Sequence, residues 1–124
     1  MVKKEHLMVC QKISKISPYM RFVGVISPNG ELLAHYRRPN FKPLLGVQDT
    51  KYQFSNIAIS TGLDAAFDKS LGEVEFVWEE RKKVQIISFA VKKNMIWISI
   101  DKKVVRSEVL RIIDSCVPIV RHYS

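Results

Sequence analysis

The chain has 124 residues, of which 47% are hydrophobic and 26% charged, and a net charge of +8 from 20 Lys and Arg against 12 Asp and Glu. This length predicts one domain over 1–124 with a core of its own, and the composition excludes a disordered tail. No apolar run approaches the roughly 20 residues of a membrane span, and the first residues lack the apolar segment of a signal peptide, so we expect a cytoplasmic protein.

The first third of the chain predicts a helix followed by a hairpin. Apolar residues recur on one helical face over 4–16, and Pro18 ends that helix because the residue before a proline avoids helical geometry. Two strands follow, Met20–Ile26 and Glu31–Tyr36. The residues between them, Ser27–Gly30, include a proline that presets a turn and an Asn-Gly pair that tolerates positive φ.

A long loop over 37–49 precedes a central helix, which Asp49 or Thr50 can cap and which we expect to run to about Asp68. Its apolar residues wrap nearly all the way round. A helix that is apolar on most sides must be covered on most sides, so we expect a second chain to cover part of it. Gly62 costs about 1 kcal/mol relative to alanine, and is best explained as allowing a close approach of another backbone.

Three strands and a last helix complete the chain. Alternating apolar and acidic residues over 73–79 predict a strand with one solvated face. Val84–Val91 and Met95–Ile100 are more continuously apolar, which is typical of strands covered on both faces. Ser107 can cap the final helix, and Pro118 is expected to kink or fray its last turn.

The order helix, two strands, helix, three strands, helix resembles the roadblock (dynein light-chain-7-like) domain, a relative of the longin and profilin folds. The resemblance covers nearly the whole chain, and its best local match is the hairpin FVGVISPNGELLA over 22–34. It implies an α/β (α+β) fold, a three-layer α/β/α sandwich. The five-stranded antiparallel sheet would have the order 2-1-5-4-3, with the central helix on one face and the terminal helices on the other.

The resemblance also implies a function. Members of that family are typically dimers that pair through the central helix and the third strand into a ten-stranded sheet. They commonly act, without catalysis, as scaffolds or as regulators of small Ras-like GTPases. The partners implied here are a second copy of the chain and another protein, for which the resemblance suggests a small GTPase. The implied dimer interface comprises Tyr52, Ile59, Leu63 and Ala66 on the helix, with Glu73, Glu75 and Val77 on the strand edge.

With that sheet order, basic residues gather at one end of the sheet. The set is Arg21, Arg37, Arg38, Arg81, Lys82, Lys83, Lys102, Lys103 and Arg106. Such a cluster could bind phosphate or an acidic protein surface. The alternative is that these residues are solvated turns that keep the ends of the sheet soluble, partly neutralised by nearby acids.

The sequence gives little support for chemistry. Two cysteines are too few for a disulfide framework, and a zinc site could be assembled only from His6, Cys10, Cys116 and His122. Asp64 and Asp68 are four apart on the central helix but have no partner base, and no catalytic or nucleotide-binding motif is present. We therefore expect no enzyme, no metal and no cofactor.

Two other functions remain open from the sequence. A sensory domain of the PAS or profilin kind would hold a small ligand in a cavity lined by residues such as Trp97 and Phe89. A nucleic-acid-binding module would use the basic end of the sheet, although few aromatic residues lie among its cations to stack on bases.

Overall fold

The computed structural model describes residues 4–91 and 93–123, the side chains of Val47 and Asp64 excepted. The elements in chain order are α1 (Lys4–Ser14), β1 (Met20–Ile26), β2 (Leu32–Arg37), α2 (Val47–Asp64), a 3-10 turn (Ala65–Phe67), α3 (Asp68–Leu71), β3 (Phe76–Glu80), β4 (Val84–Ala90), β5 (Met95–Asp101) and α4 (Arg106–Tyr123).

All five strands form one antiparallel sheet with the order β2-β1-β5-β4-β3, which confirms the predicted topology. β5 is the central strand, and Met95–Ile100 are all buried because both faces of the sheet are covered. β2 and β3 are the edges. Each edge strand pairs on one side only.

The helices lie on opposite faces, as predicted. α1 and α4 cover one face, where Ile13 and Ile113 belong to the same buried cluster as Ile87 and Ile98 of the sheet. α2 covers the other face through Phe54, which is buried in a second, smaller cluster. The result is the predicted three-layer sandwich.

An aromatic group forms the centre of the smaller cluster. The ring centroids of Phe54 and Trp97 are 5.4 Å apart, and those of Phe22 and Trp97 are 5.7 Å apart, both edge-to-face. Gly24 makes room for this group, because a Cβ there would lie 2.8 Å from the Phe22 ring. Phe89 belongs to the cluster on the opposite face of the sheet, so a cavity lined by both Trp97 and Phe89 is not formed.

One buried polar side chain joins three parts of the second half of the chain. Gln85 of β4 accepts a hydrogen bond from Nε1 of Trp78 on β3 at 2.8 Å. Its amide nitrogen donates to the carbonyl oxygen of Val104, after β5, at 2.9 Å. A buried amide is tolerated when both of its polar atoms are paired.

The hairpin turn has the predicted geometry and also supports α2. Gly30 has φ +85°, and its N–H donates to the carbonyl oxygen of Ser27 at 2.9 Å. A Cβ at Gly30 would lie 3.0 Å from the Cα of Ser55, in the middle of α2. The close approach of backbone to backbone therefore occurs here.

Two details of the helices differ from prediction. α2 begins at Val47 after Gly46, which makes no side-chain cap bond, so the predicted cap at Asp49 or Thr50 is wrong. Thr50 already lies in the first turn, where its hydroxyl donates to the carbonyl of Gly46 at 2.8 Å. α4 continues through Pro118 to Tyr123, since a proline removes only one helical N–H.

Candidate interaction surfaces

The outward side of α2 carries the helix residues that the sequence predicted for an interface. Tyr52, Ile59, Leu63 and Ala66 are all exposed in the single chain, and Leu63 is 67% exposed. The sheet holds α2 instead through Phe54, which is buried. The helix is thus covered by its own sheet along its inner side only.

Exposure continues well beyond the helix. Among the described side chains of 62–77, only Asp68 is half-buried and all the others are exposed, including Phe67 (62%) and Leu71 (81%). Large apolar side chains exposed in such number within one segment are uncommon on monomers and indicate a candidate contact site. We name the α2–β3 surface by its apolar members: Tyr52, Ile59, Leu63, Ala66, Phe67, Leu71 and Val77.

Sequence reasoning did not single out Phe67 and Leu71. The predicted central helix, which runs to about Asp68, includes Phe67 and leaves Leu71 beyond its end, whereas in the structure a 3-10 turn carries Phe67 and the short helix α3 carries Leu71. A run of large apolar residues next to a glycine, Gly72 at φ +83°, was the available signal.

β3 contributes an open strand edge next to this surface. It pairs with β4 alone, and Val77 pairs with Ser88. A groove between the end of α2 and β3 is lined by Thr61, Ala65, Val77 and Met95, among others. The apolar helix side and the free edge of the sheet therefore lie next to each other.

Glu73 and Glu75 are exposed, but the structure places them before β3 rather than on its edge. Pairing starts at Phe76, opposite Phe89, and β4 ends one residue later at Ala90. In this register Glu75 would lie opposite Ala90, the last residue of β4, and residues 73 and 74 would fall beyond the end of that strand. The predicted start of the third strand was too early for this reason.

Arg38, one of the nine predicted anion-binding residues, is used inside the fold. Its Nε donates to the carbonyl of Met20 at 2.9 Å, and its Nη2 donates to the carbonyls of Ser14 at 2.7 Å and Ser17 at 3.3 Å. These carbonyls lie at the end of α1, in the segment after it and at the first residue of β1. The guanidinium therefore connects β2 to the end of α1.

Several other basic residues of the predicted set lie beside acids. Arg106 makes a two-pronged contact with the Glu80 carboxylate at 2.9 and 2.7 Å, and its side-chain hydrogen bond lowers the pKa of Glu80. Lys102 lies 4.0 Å from Glu80 and Lys103 lies 3.9 Å from Asp101. Arg81 contacts Glu79. Exposed pairs of this kind contribute little stability, but they reduce the positive charge that a ligand would meet.

The remaining members separate into two groups. Lys82 and Lys83 are exposed in the turn between β3 and β4. Arg21 and Arg37 flank a pocket beneath the start of α2. The topology brings all nine residues to one end of the sheet, but the side chains do not form a single anion site.

The residues considered for a zinc site have other surroundings. The His6 ring contacts the Tyr123 hydroxyl through Nδ1. Burial raises the pKa of Cys10 to about 11 and that of Cys116 to about 12, so both thiols are protonated at neutral pH. Within residues 4–91 and 93–123, no group of three or more His, Cys, Asp or Glu could hold a metal ion. The Asp64 side chain lies outside the described part, so the predicted Asp64–Asp68 pair has no structural description.

No protein-family model and no curated protein matches this chain. No helix in the described part of the chain is long and apolar enough to cross a membrane.

Solved structures do match this chain over nearly its full length.

The fold is a three-layer α/β/α sandwich around a sheet of order 2-1-5-4-3, and known structures share it. MglB from Myxococcus xanthus has a TM-score of 0.69 at 17% identity, with 94% of this chain and 91% of that chain covered. A roadblock/LC7 domain from Streptomyces avermitilis has a TM-score of 0.65 at 11% identity, covering 94% and 95%. Profilin from Schizosaccharomyces pombe has a TM-score of 0.63 at 12% identity, covering 94% and 97%. The chain has the roadblock/LC7 fold of the profilin-like type.

Proposed function

We propose that this chain is a non-enzymatic regulatory domain that acts by binding other proteins and that pairs with a second copy of itself through the α2–β3 surface. The observation that carries the proposal is the group of large exposed apolar side chains in α2 and residues 62–77, beside the open edge of β3. The fold it shares with MglB supports the proposal, as does an MglB structure with a tetrameric arrangement.

Stable pairing of two chains requires that several apolar side chains are buried together. Complete burial of one Leu, Ile or Phe side chain stabilises by about 1.5–3 kcal/mol, whereas association costs about 4–15 kcal/mol in lost freedom. A single exposed leucine is therefore not enough, but Ile59, Leu63, Phe67 and Leu71 together can offset that cost. Pairing of two β3 edges would add backbone hydrogen bonds and join the two sheets into one of ten strands.

The test is the oligomeric state of the full chain and of Leu63→Glu, measured by size-exclusion chromatography with light scattering. We expect the wild-type chain to be a dimer at micromolar concentration. Leu63→Glu should shift it to a monomer, because a buried, unpaired carboxylate is strongly unfavourable. The matched control is Leu110→Glu, which changes an exposed leucine of α4 on the opposite face of the sheet.

A wild-type chain that remains monomeric at high micromolar concentration would rule out the proposed pairing. Equal weakening by Leu63→Glu and Leu110→Glu would also count against it, since the effect would then not be specific to the α2–β3 surface.

We propose a small Ras-like GTPase as the partner of the dimer, on the strength of the roadblock resemblance. The experiment is capture from a lysate of the source cells on immobilised chain, with either GDP or a non-hydrolysable GTP analogue added, followed by mass spectrometry. The proposal expects a small GTPase whose recovery differs between the two nucleotides. If no GTPase is captured, or if the captured GTPase is recovered equally with both nucleotides, the GTPase proposal is contradicted. The pairing proposal is not affected by that result.

A further inference from the structure

A small pocket lies on the α2 face of the sheet, at the end where β1 begins and β2 ends. Its volume is about 80 Å³, several times the space that one water needs. Strand residues form its floor, while the loop after β2 and the first turns of α2 form the rest of the wall. It is lined by Arg21, Phe22, Arg37, Pro43, Leu44, Leu45, Thr50, Gln53, Phe54, Val84, Ile86, Trp97 and Ser99.

The charged side chains that line this pocket are all positive. Two arginines line it, and none of the lining residues is an Asp or Glu. The Arg21 Nη2 donates to the carbonyl of Lys42 at 2.7 Å, which leaves most of its five N–H donors available. The Arg37 guanidinium lies 4.8 Å above the Phe22 ring, and within the described ranges no ion-pair partner is found for it.

The Trp97 indole N–H, which has no hydrogen-bond acceptor within residues 4–91 and 93–123, is an independent indication of a ligand in this pocket. Its side chain lines the pocket and is only 7% exposed. Its indole N–H is buried, and no acceptor for it is present among the residues that the structure describes. Trp78, by contrast, donates to Gln85. Buried donors are rarely left unpaired in folded proteins, so an unpaired indole N–H on a residue that lines the pocket together with two arginines points to an acceptor from outside the chain.

We propose that this pocket binds a small organic carboxylate with a short apolar body. A carboxylate accepts paired hydrogen bonds from guanidinium groups, and it offers a further lone pair to the Trp97 indole N–H. The aliphatic part would contact Leu44, Leu45 and Phe54. These apolar walls favour a carboxylate with a hydrocarbon tail over inorganic phosphate, which has no apolar part to bury.

The probe is sodium butyrate, with butyramide as its uncharged counterpart and sodium phosphate as the purely inorganic anion, all at constant ionic strength. Binding is followed by the indole N–H resonances in a proton–nitrogen NMR spectrum of the full chain, with Trp78→Phe to assign the Trp97 signal. Butyrate should shift the Trp97 resonance in a saturable way, whereas butyramide and phosphate should shift it weakly or not at all.

Arg37→Gln and Arg21→Gln should each weaken butyrate binding by roughly tenfold or more, because each removes a charge-assisted hydrogen bond. Lys83→Gln is the matched control, since it removes a positive charge at the same end of the sheet outside the pocket lining. Leu63→Glu should keep wild-type affinity, which separates this result from the outcome of the dimer experiment.

Three results would overturn the proposal: a Trp97 signal that tens of millimolar butyrate does not move, equal shifts with butyramide or phosphate, or wild-type affinity in both arginine variants.

Discussion

Arg38 illustrates how a residue that the sequence offers for ligand binding can be used to hold the fold together. Its three carbonyl acceptors belong to Met20, Ser14 and Ser17, so replacing it leaves these oxygens without that donor at the joint between β2 and the end of α1. Arg38→Ala should lower the free energy of unfolding by about 1–3 kcal/mol. Urea denaturation followed by circular dichroism measures this.

The control for Arg38→Ala is Lys83→Ala, an exposed charge in a turn, which should change stability by no more than about 0.5 kcal/mol. Arg38→Lys should fall between the two, because one ammonium group cannot reach all three carbonyls. If Arg38→Ala is as stable as Lys83→Ala, these hydrogen bonds contribute nothing to the fold.

The two buried thiols predict a loss of stability at alkaline pH. Burial raises the pKa of Cys10 to about 11 and of Cys116 to about 12, above the ordinary value of 9.0. Above pH 9 the unfolded chain therefore loses these protons first, and ionisation favours unfolding. The stability that the two protonated thiols contribute is fully present below pH 9. It is lost as the pH rises toward the folded-state pKa values, and the free energy of unfolding falls by up to about 1.4 kcal/mol per pH unit for each thiol.

Urea unfolding at several pH values between 8 and 10.5 measures that slope. Lysines and tyrosines also titrate in this range, so the informative comparison is the double variant Cys10→Ala, Cys116→Ala. It should be less stable at pH 8 because it creates cavities, yet its stability should fall less steeply with pH. Equal slopes in the two proteins would mean that the thiols do not carry the effect.

At the scale of elements, Gly62 gives the sharpest test of how α2 is used. A Cβ at Gly62 would meet nothing within 4 Å in the single chain, so the expected close backbone approach does not occur within one subunit. Gly62→Ala should therefore stabilise the monomeric Leu63→Glu chain by about 0.5–1 kcal/mol, through helix propensity alone. In the wild-type background it should instead weaken pairing, because the added methyl would separate the two chains.

Gly30→Ala is the control in the same experiment, and its expected effect on the stability of the monomeric chain is opposite to that of Gly62→Ala. Gly30 has φ +85°, which residues other than glycine rarely adopt, and a Cβ there would lie 3.0 Å from the Ser55 Cα, so alanine should destabilise the chain in either background. If Gly62→Ala does not weaken the dimer, the prediction that the second chain's backbone approaches Gly62 closely is wrong, even where pairing itself is confirmed.

Hydrophobic pattern and turn chemistry predicted the elements of this fold well. The bounds of β1 are as predicted, and the Asn-Gly turn forms where expected, since both depend on local sequence. The start of α2 was missed by three or four residues and the start of β3 by three. Those ends are set by tertiary features, namely an uncapped Gly46 and the point at which β4 runs out of pairing partners, and neither is visible in the local pattern.

The sites were harder to predict than the fold, for a physical reason. The apolar pattern of α2 predicted that its own sheet leaves part of the helix uncovered, and Ile59 and Leu63, which the roadblock resemblance implied for the interface, are exposed in the single chain. The fate of an arginine depends on which carbonyls, acids or rings lie nearby, which only the folded chain fixes. Arg38, Arg106 and Arg37 are alike in the sequence, but they contact backbone carbonyls, Glu80 and the Phe22 ring, respectively.

On the scale of the whole molecule, its two ends and two faces have different properties. Nine of the 20 Lys and Arg residues lie at one end of the sheet, while the α2–β3 surface is apolar and has Glu73 and Glu75 beside it. The net charge of +8 would oppose pairing of two copies if the basic ends met. Pairing through α2 and β3 keeps Arg37 away from the contact, because β2 lies at the far edge of the sheet from β3, whereas Arg81, Lys82 and Lys83 follow β3 directly and stay near it.

If pairing contributes to the stability of each subunit, thermal unfolding must depend on concentration. Mass action then favours the folded dimer over two unfolded chains as concentration rises, whereas unfolding of a monomer is indifferent to it. For a chain of this size, a hundredfold increase in concentration should raise Tm by on the order of 5 °C. Leu63→Glu should abolish that dependence and Leu110→Glu should retain it. Calorimetry over that concentration range measures both, and a wild-type Tm that stays constant would show that the α2–β3 surface is not covered by a second copy of this chain.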